Sequence, residues 1–346
     1  MSGEASRDSL VSARITVVGF LMSCVIAVYH CRVSFPNNLS PAAKISNGMV
    51  DSFVDQMAIF AMTWFFAVTG YLLFKGLTMK SYPAKIARRA FSLVIPFVIW
   101  QVITAVFNYT VQGVHLGVVD FLAKTFLLQR WPPNGPMWYM WVVFLLAVVL
   151  SPMLLVLFRR RDVGFVSVMA LSIFFYWISG SGGVPFRAVI RYGLMPNIIS
   201  HLPPYLMGAY CATLKSDDDN DRIGGSLVCA CIVAFVLNPI FPGFGSSFVT
   251  KILPVLALFY LPIDVRLADW KVFKLAFPIY AIHRMVIALF LVGFQNWISS
   301  FVGSPSWINV GCRFYCLLWI MACSAFLYFG LKRIAPRALS LLTGGR

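Results

Sequence analysis

Residues 137–158 read MWYMWVVFLLAVVLSPMLLVLF and contain no charged side chain. An apolar run of this length matches the about 20 helical residues needed to cross the hydrocarbon core of a membrane. Comparable runs lie roughly at residues 15–31, 57–74, 90–111, 163–180, 198–214, 224–241, 248–262, 276–298 and 307–331. The pattern predicts an all-α integral membrane protein with about ten transmembrane helices.

The composition of the chain excludes a soluble protein. Of the 346 residues, 60% are hydrophobic and only 12% are charged, and a soluble domain cannot bury that much apolar surface. No segment that joins the apolar runs is long enough to fold alone. Residues 1–346 are therefore predicted to form a single membrane domain.

Lysine and arginine are unevenly distributed among the segments that join the runs. With the N-terminus inside, the inner segments hold roughly 19 of them and the outer segments about 7, the excess that is typical of cytoplasmic loops. Both termini are therefore predicted to be cytoplasmic. The formal charge of +16 is divided among these short loops. It indicates contact with anionic membrane lipid and argues against nucleic acid as a partner.

Acidic residues are nearly absent from the apolar runs. Glu4 is the only glutamate, and the aspartates lie in tails, in loops or at the ends of runs. Proton-coupled transporters usually need an intramembrane carboxylate and glycosidases need a pair, so neither class is favoured. The eight cysteines form no CxxC pair, and no metal site is predicted. The ionisable groups that remain in the runs include His30 and His283, and such groups mark functional sites by default.

Six short motifs follow one another along the chain. They are VYH at 28–30, FFAVTGYLL at 65–73, Arg89 followed by IPFVIW at 95–100, GPMWY at 135–139, PPYLMGAY at 203–210 and FPIYAIH at 277–283. In this order they resemble the acyltransferase 3 family of membrane-bound O-acyltransferases. That family has FFxxSGY in its second helix, R-x6-PYxxW in the third, PLWFL in the fourth and YxxH in a late helix. The resemblance extends from about residue 14 to residue 330.

The resemblance implies a fold and an activity. The fold would be a bundle of about ten helices in the bacterial inner membrane, in agreement with the apolar runs. The activity would be transfer of an acyl group, most simply acetyl, from cytoplasmic acyl-CoA to a hydroxyl of a cell-surface glycan or a lipid-linked sugar. Acetyl-CoA would then be a co-substrate, and no bound cofactor is expected.

His30 and His283 are the candidate catalytic residues. Histidine suits a general base that takes the proton from a sugar hydroxyl, because its ordinary pKa lies near operating pH. A histidine could instead carry the acyl group as a covalent nucleophile. The plainer alternatives are an interfacial histidine for His30 and a structural polar cluster for His283.

Three arginines are candidates for binding the acyl donor. Arg89 stands seven residues before Pro96 and matches the arginine of the family motif. The resemblance implies that its guanidinium binds the phosphates of coenzyme A, which a planar fork of donors suits. Arg88 beside it and Arg284 in the ninth run are further candidates. Basic residues at a cytoplasmic helix end also arise as plain topology signals.

Four more residues are candidates for binding the acceptor or lining its path. Trp138 and Tyr139 open the fourth run, and Asp55 lies at the outer end of the second. Tyr280 precedes His283 by three residues and Arg284 by four, so on a helix it can approach either side chain. Aromatic belts at the membrane interface account for isolated tryptophan and tyrosine equally well.

The chain departs from the family at two places. The family carries Arg-x10-His in its first helix, where this chain has Gly19, and Arg14 lies roughly 160° around the helix from His30. The fourth helix often carries Arg-Asp, where this chain has Trp141 and Val142. Three functions therefore stay open: an acyltransferase, a transporter or flippase of glycolipids or polysaccharides, and a catalytically silent relative.

The charge asymmetry predicts a topology that cysteine labelling can check. Segments 75–89 and 159–162 are expected inside the cell, and segments 32–56 and 112–136 outside. In a cysteine-free variant, a single cysteine at position 80 or 160 should resist an impermeant thiol reagent in intact cells. A cysteine within 112–136 should react. Labelling at 80 or 160 before the cells are lysed would overturn the topology.

Overall fold

The computed structural model describes residues 2–35, 40–127, 130–181, 192–213 and 261–345. Its α-helices are α1 Ser2–His30, α2 Pro41–Phe74, α3 Tyr82–Arg89, α4 Ile95–Gln112, α5 Val118–Phe126, α6 Trp138–Leu157, α7 Arg161–Ser181, α8 Met195–Cys211, α9 Ala276–Ser299, α10 Pro305–Ile334 and α11 Pro336–Thr343. Shorter helical turns lie at Ala90–Val94, Gly135–Met137, Val265–Asp269 and Lys271–Leu275. These residues include no β-strand, which confirms the all-α prediction.

Six helical segments among the described residues are long and apolar enough to cross a membrane. They are Ser9–His30, Pro41–Phe74, Tyr82–Gln112, Gly135–Leu157, Lys271–Ser299 and Pro305–Ile334. Each contains most or all of one predicted run, as expected of a multi-pass membrane protein. The run at 163–180 and residues 198–211 of the run at 198–214 are helical but not among the six, and the runs at 224–241 and 248–262 lie outside the described residues except for 261–262. The count of about ten spans and the cytoplasmic termini stay predictions.

Helix α2 begins well before its apolar run. The run starts near residue 57, whereas the helix begins at Pro41, an amino acid that suits the first helical turn. Much of the segment 32–56 is therefore helical. Hydrophobic periodicity does not report this part of the helix, because its inward side chains include Asn47 and Asp51, which form polar contacts.

The described residues of Met1–Ala61 and Ile263–Leu339 form one compact unit, here called the first unit. In it α1 packs against α9 and α10, and α9 lies along α10. Two stacked ring pairs join the latter helices: Phe294 with Tyr315 at 3.8 Å between centroids, and Phe290 with Trp319 at 4.6 Å. Such pairs add about 0.5–1.5 kcal/mol beyond the area they bury. This packing fixes α9, which carries His283.

The described residues of Met62–Pro262 and Ser340–Arg346 form the second unit. A close helix crossing in this unit joins the end of α2 to α8. A Cβ added at Gly70 would collide with the carbonyl oxygen of Tyr205, and one at Gly208 would collide with the backbone of Ala67. Small residues let two helix backbones approach in this way. The glycines of the FFAVTGY and PPYLMGAY motifs are therefore explained by packing.

A widened helical turn separates Arg89 from α4. Residues Ala90–Val94 are π-helical, and Pro96 follows in the first turn of α4. Proline has no N–H to donate to the carbonyl four residues earlier, and a π-turn is one way for a helix to accommodate the missing bond. The start of α4 is held by Trp100, whose Nε1–H donates to the carbonyl oxygen of Leu342 at 3.0 Å.

The α2–α8 crossing predicts that Gly208→Ala destabilises the protein. The new methyl group meets backbone that cannot move aside as a side chain would, and overpacking of this kind costs about 1–3 kcal/mol. Purified Gly208→Ala and Gly70→Ala proteins should melt at lower temperature than the wild type. Gly330→Ala is the control, because a Cβ at this α10 position meets nothing within 4 Å. An unchanged melting temperature in both crossing variants would contradict the packing described.

Candidate active site

The two candidate catalytic histidines are stacked in the first unit. His30 is the last residue of α1 and His283 lies in α9, with ring centroids 5.1 Å apart and ring planes inclined by 27°. The His283 side chain is completely buried, whereas His30 is half-buried. The fold thus brings together two residues that are 253 positions apart in the chain (283 minus 30). It leaves the ring of His30 as the accessible member of the pair.

The backbone of α9 decides which nitrogen of His283 carries the proton. Nδ1 lies 2.8 Å from the carbonyl oxygen of Tyr280 and 3.2 Å from that of Ile279. A carbonyl can only accept, so the Nδ1–H of His283 donates. In the neutral ring Nε2 then carries the lone pair, and this buried atom has no hydrogen-bond partner among the described residues. An imidazole oriented in this way can accept a proton through Nε2.

Two predicted residues accompany this pair. Arg284, an exposed side chain of α9, lies close enough to His30 to interact electrostatically, as does Arg32. Tyr280 is half-buried with its ring centroid 6.3 Å from that of His283, and it is its carbonyl oxygen that accepts from the histidine. The prediction that Tyr280 approaches His283 therefore agrees with the structure, but its backbone makes the hydrogen bond.

Asp55 is engaged by an arginine. The carboxylate accepts from Arg32 Nη2 at 2.6 Å, and both side chains are about half exposed, at 42% and 52%. The Arg32 guanidinium also lies 5.0 Å from the ring centroid of Tyr29. Asp55 thus helps to fix the segment that directly follows His30.

Sequence reasoning missed a second ion pair, formed by Arg313 of α10. Its Nη2 donates to Asp51 at 2.6 Å, its Nε to Asn309 at 2.7 Å and its Nη1 to the carbonyl oxygen of Val28 at 2.6 Å. Asn309 in turn donates to Asn47 at 2.7 Å. Arg313 is only 4% exposed. The signal for this network was an arginine inside an apolar run, which requires a partner.

The predicted aromatic residues belong to a cluster in the second unit. Trp138 is buried and Tyr139 half-buried, and both pack on Phe66 of the FFAVTGY motif, with centroids 6.0 Å and 5.1 Å away. His201 stacks on the same ring at 4.9 Å, and its Nδ1–H donates to the carbonyl of Asn197 at 2.6 Å. The Tyr139 hydroxyl donates to the carbonyl of Phe65 at 2.8 Å and also bonds Thr69.

A buried amide clamp sets the start of α6 and thereby places Trp138 and Tyr139. The backbone N–H of Asn134 donates to Gln101 Oε1 at 2.7 Å, and Asn134 Nδ2 donates to the Thr104 hydroxyl at 3.1 Å. Gln101 and Asn134 are completely buried. The clamp ties the GPMWY motif to α4.

The basic residues at the end of α3 differ in their surroundings. Arg88 is exposed, and its Nε lies 3.4 Å from the carbonyl oxygen of Ala84. Arg89 is half-buried, and its guanidinium lies within electrostatic reach of Tyr139 and Tyr205. Both belong to the second unit, whereas Arg284 belongs to the first. Arg89 thus lies within electrostatic reach of two motif residues of other helices.

Comparison with known proteins agrees with this arrangement of motifs. The model of the acyltransferase 3 family, an acyltransferase domain, matches residues 19–329. The chain belongs to this family. It is therefore an acyltransferase, and its apolar helices make it a multi-pass membrane protein.

Two curated relatives are similar to this acyltransferase. The succinoglycan biosynthesis protein ExoH of Rhizobium meliloti (strain 1021) is 24% identical over 378 residues, which cover 98% of this chain and 94% of ExoH. The nodulation protein NolL of Mesorhizobium japonicum is 24% identical over 117 residues, which cover 34% of this chain and 30% of NolL. No solved structure matches the chain significantly.

The two departures from the family motifs have different surroundings. Trp141 is stacked parallel to Phe97 at 6.0 Å, and its Nε1–H donates to the carbonyl oxygen of Phe126 at 3.1 Å. Val142 beside it is buried. A Cβ added at Gly19 would meet nothing within 4 Å among the described residues. Arg14 is buried, and Ser23 donates to the carbonyl of Gly19 at 2.9 Å.

The Arg313–Asp51 pair predicts a large loss of stability on substitution of Arg313. Removing one partner of a buried ion pair costs roughly 3–5 kcal/mol. We expect the lower end for Arg313→Met, because the Asp51 side chain is 31% exposed. The matched control is Arg32→Met, which breaks an ion pair of the same 2.6 Å length at an exposed site and should cost about 0–1 kcal/mol.

Thermal unfolding of the purified proteins measures both effects. Combining Arg313→Met with Asp51→Leu should recover part of the loss, because no unpaired charge is then buried. Equal melting temperatures for Arg313→Met and Arg32→Met would show that the Arg313 network is not what holds these helices together.

Proposed function

We propose that this acyltransferase moves an acyl group, most simply acetyl, from cytoplasmic acyl-CoA to a sugar hydroxyl in the bacterial inner membrane. The observation that carries the proposal is the stacked pair of His30 and His283, with the oriented and unpartnered Nε2 of His283. Acyl transfer to a hydroxyl requires a general base, and the accessible ring of His30, stacked on His283, can serve as one. The acceptor would be a cell-surface or lipid-linked sugar, in keeping with the name of ExoH, which assigns that relative to succinoglycan biosynthesis.

The chemistry follows from the histidine pair. His30, the accessible ring, takes the proton from the sugar hydroxyl as the oxygen attacks the thioester carbon. The tetrahedral intermediate collapses when the C–S bond breaks, and the coenzyme A thiolate leaves with the proton that His30 held. One C–O bond has formed, one C–S bond has broken and no proton is lost. General base catalysis of this kind contributes roughly 10²- to 10⁴-fold to the rate.

Positive side chains near the pair suit the charge that develops. As the hydroxyl oxygen attacks, the carbonyl oxygen of the thioester becomes an oxyanion. Arg284 and Arg32 lie within electrostatic reach of His30, and a positioned arginine stabilises such an oxyanion. Arg284 was predicted to bind the donor, and this placement gives it a role at the reacting carbonyl. Arg89 and Arg88 remain the proposed ligands of the coenzyme A phosphates.

Substitution of the histidines tests the chemistry. His30→Gln and His283→Gln keep much of the side-chain size and some hydrogen bonding, but glutamine cannot accept a proton near neutral pH. Each should lower acyl transfer from acetyl-CoA to the glycan by roughly 10²-fold or more while the protein still folds. The control is His115→Gln, which changes an exposed histidine that packs on the ring of Tyr109.

The readouts are coenzyme A release by purified protein and mass spectrometry of the surface glycan with and without the gene. Near-normal turnover by His30→Gln would mean that this residue is not the base. Absence of transfer by the wild type, with several acyl-CoA donors, would favour the catalytically silent alternative.

A further inference from the structure

Residues 340–345, here called the tail, pack on the widened turn that joins α3 to α4. The tail and this turn belong to the same compact unit. A Cβ added at Gly344 would collide with the carbonyl oxygen of Ser92 and would lie 2.8 Å from the Ser92 Cα. Ser92 is the central residue of the π-helical turn Ala90–Val94. The backbone of the tail therefore lies directly against the backbone of the turn.

Two glycines give the tail a defined conformation. The φ angles are 67° at Gly344 and 76° at Gly345, in the left-handed region that glycine adopts without a steric penalty. The N–H of Gly345 donates to the carbonyl oxygen of Ser340 at 2.8 Å. This bond closes the end of α11 as in a Schellman motif, with Gly344 as the first residue after the helix. The residue that contacts Ser92 is thus one that the helix end and the close approach both require to be glycine.

Trp100 of α4 anchors the tail from the other side. Its Nε1–H donates to the carbonyl oxygen of Leu342 at 3.0 Å, and its side chain is buried. A helix leaves its last four carbonyl groups without a partner of their own, and the indole satisfies one of them. Trp100 ends the IPFVIW stretch of the motif that begins with Arg89. The motif therefore holds the tail that packs on its own turn.

The widened turn decides where the Arg89 side chain lies. In the turn, the N–H of Ile95 donates to the carbonyl oxygen of Ala90, five residues back, where an α-helix would use the residue four back. Relaxation to an α-helix would shift the register by one residue and rotate α3 by about 100° relative to α4. Arg89 now lies within electrostatic reach of Tyr139 and Tyr205. Such a rotation would turn its guanidinium away from both tyrosines.

Pro96 alone does not select the widened turn. A proline disrupts a regular α-helix at this point, but a kink is as common an outcome as a π-turn, and neither restores the missing N–H. The contact of Gly344 with Ser92 lies at the centre of the turn and depends on the course of the backbone there. A tertiary contact of this kind favours one of the two outcomes.

We infer that the tail positions Arg89 for the acyl donor by holding the turn Ala90–Val94 in its widened form. Gly344 and Trp100 are then positioning residues, which act through Arg89 and need no contact with the donor. The inference rests on the proposed function in one respect, namely that Arg89 binds the donor. It gives a role to residues 340–345, which lie beyond the part of the chain that matches the family model.

Binding of coenzyme A to the purified full-length protein tests the inference. Gly344→Ala drives a methyl group into the backbone of Ser92 and should weaken binding by about tenfold, as expected when a hydrogen bond to a charged group is lost. Gly345→Ala is the matched control. It places alanine in the same left-handed region, but the nearest atom to its Cβ belongs to the Phe91 side chain at 3.9 Å. Its affinity should stay close to that of the wild type.

A double substitution tests whether the tail acts through Arg89. Arg89→Ala should weaken coenzyme A binding, and Gly344→Ala should add no further loss in that background, because the side chain that the tail positions is absent. Trp100→Phe keeps an aromatic ring, removes the bond to Leu342 and should behave in the same way. It takes the place of Gly344→Ala if that variant does not fold. Losses that multiply in the double variants would overturn the inference, since the tail would then act independently of Arg89.

Hydrogen exchange reports on the turn without any donor. The amides of residues 90–95 should exchange faster in Gly344→Ala than in Gly345→Ala. Equal exchange and equal coenzyme A affinity in these two variants would overturn the inference. If Arg89→Ala weakened binding at the same time, the proposed function would stand. Unchanged binding by Arg89→Ala would instead remove the donor role of Arg89, and the inference with it.

Discussion

Arg313 places a permanent charge inside an apolar helix, and the first unit must compensate it. Burial of an unpaired guanidinium costs several kcal/mol, a large fraction of the net free energy of unfolding of a typical protein. Each of the three nitrogen atoms of the Arg313 guanidinium accordingly has an acceptor. One acceptor is a carboxylate of α2, another is an amide of α10, and the third is the Val28 carbonyl in the last turn of α1. That last turn also carries His30. The compensation of one charge thereby ties α1 and α2 to α10 and restrains the backbone that presents the candidate base.

The need of every buried polar group for a hydrogen-bond partner divides the polar side chains into two kinds: those whose partners hold helices together, and those without a partner among the described residues. Asn134, Tyr139 and Arg313 have partners that hold helices together. The Nε2 of His283 and the hydroxyls of Tyr205 and Ser151 are equally buried but make no hydrogen bond among the described residues. A folded chain tolerates such groups when a ligand completes them, because the binding free energy then offsets the desolvation penalty. The Nε2 of His283 belongs to the histidine pair, and Tyr205 lies within electrostatic reach of Arg89.

Much of the fold was predictable because a membrane span is a local property. Twenty or so apolar residues form a helix in lipid whatever their neighbours do, and the runs ending at His30, Phe74 and Leu157 predicted helices accordingly. The start of α2 was not predictable in this way. Its polar residues Asn47 and Asp51 are stable there only through Asn309 and Arg313, more than 250 positions away. Hydrophobic periodicity carries no information about such pairs.

In the candidate site, too, some features were predictable from the sequence and others were not. Motif order predicted His30, His283 and Arg89 as functional residues, which remains a prediction about their roles. The stacking of the two rings and the position of Arg89 within electrostatic reach of Tyr139 and Tyr205 depend on tertiary structure. Tyr205 lies in the PPYLMGAY motif but received no role from the sequence, because a tyrosine in an apolar helix most often packs or lies at the membrane interface.

The two departures from the family motifs differ in what has replaced the missing side chains. Trp141 is built into its surroundings by stacking on Phe97 and by a hydrogen bond to Phe126, so the space of a polar pair is filled by an aromatic cluster. Among the described residues, nothing lies within 4 Å of a Cβ built at Gly19. Positive charge nevertheless surrounds His30, because Arg32 and Arg284 lie within electrostatic reach of its ring. Charge acts over several ångströms and does not depend on the helix from which it comes. The absence of an arginine at Gly19 therefore does not remove positive potential from the histidine pair.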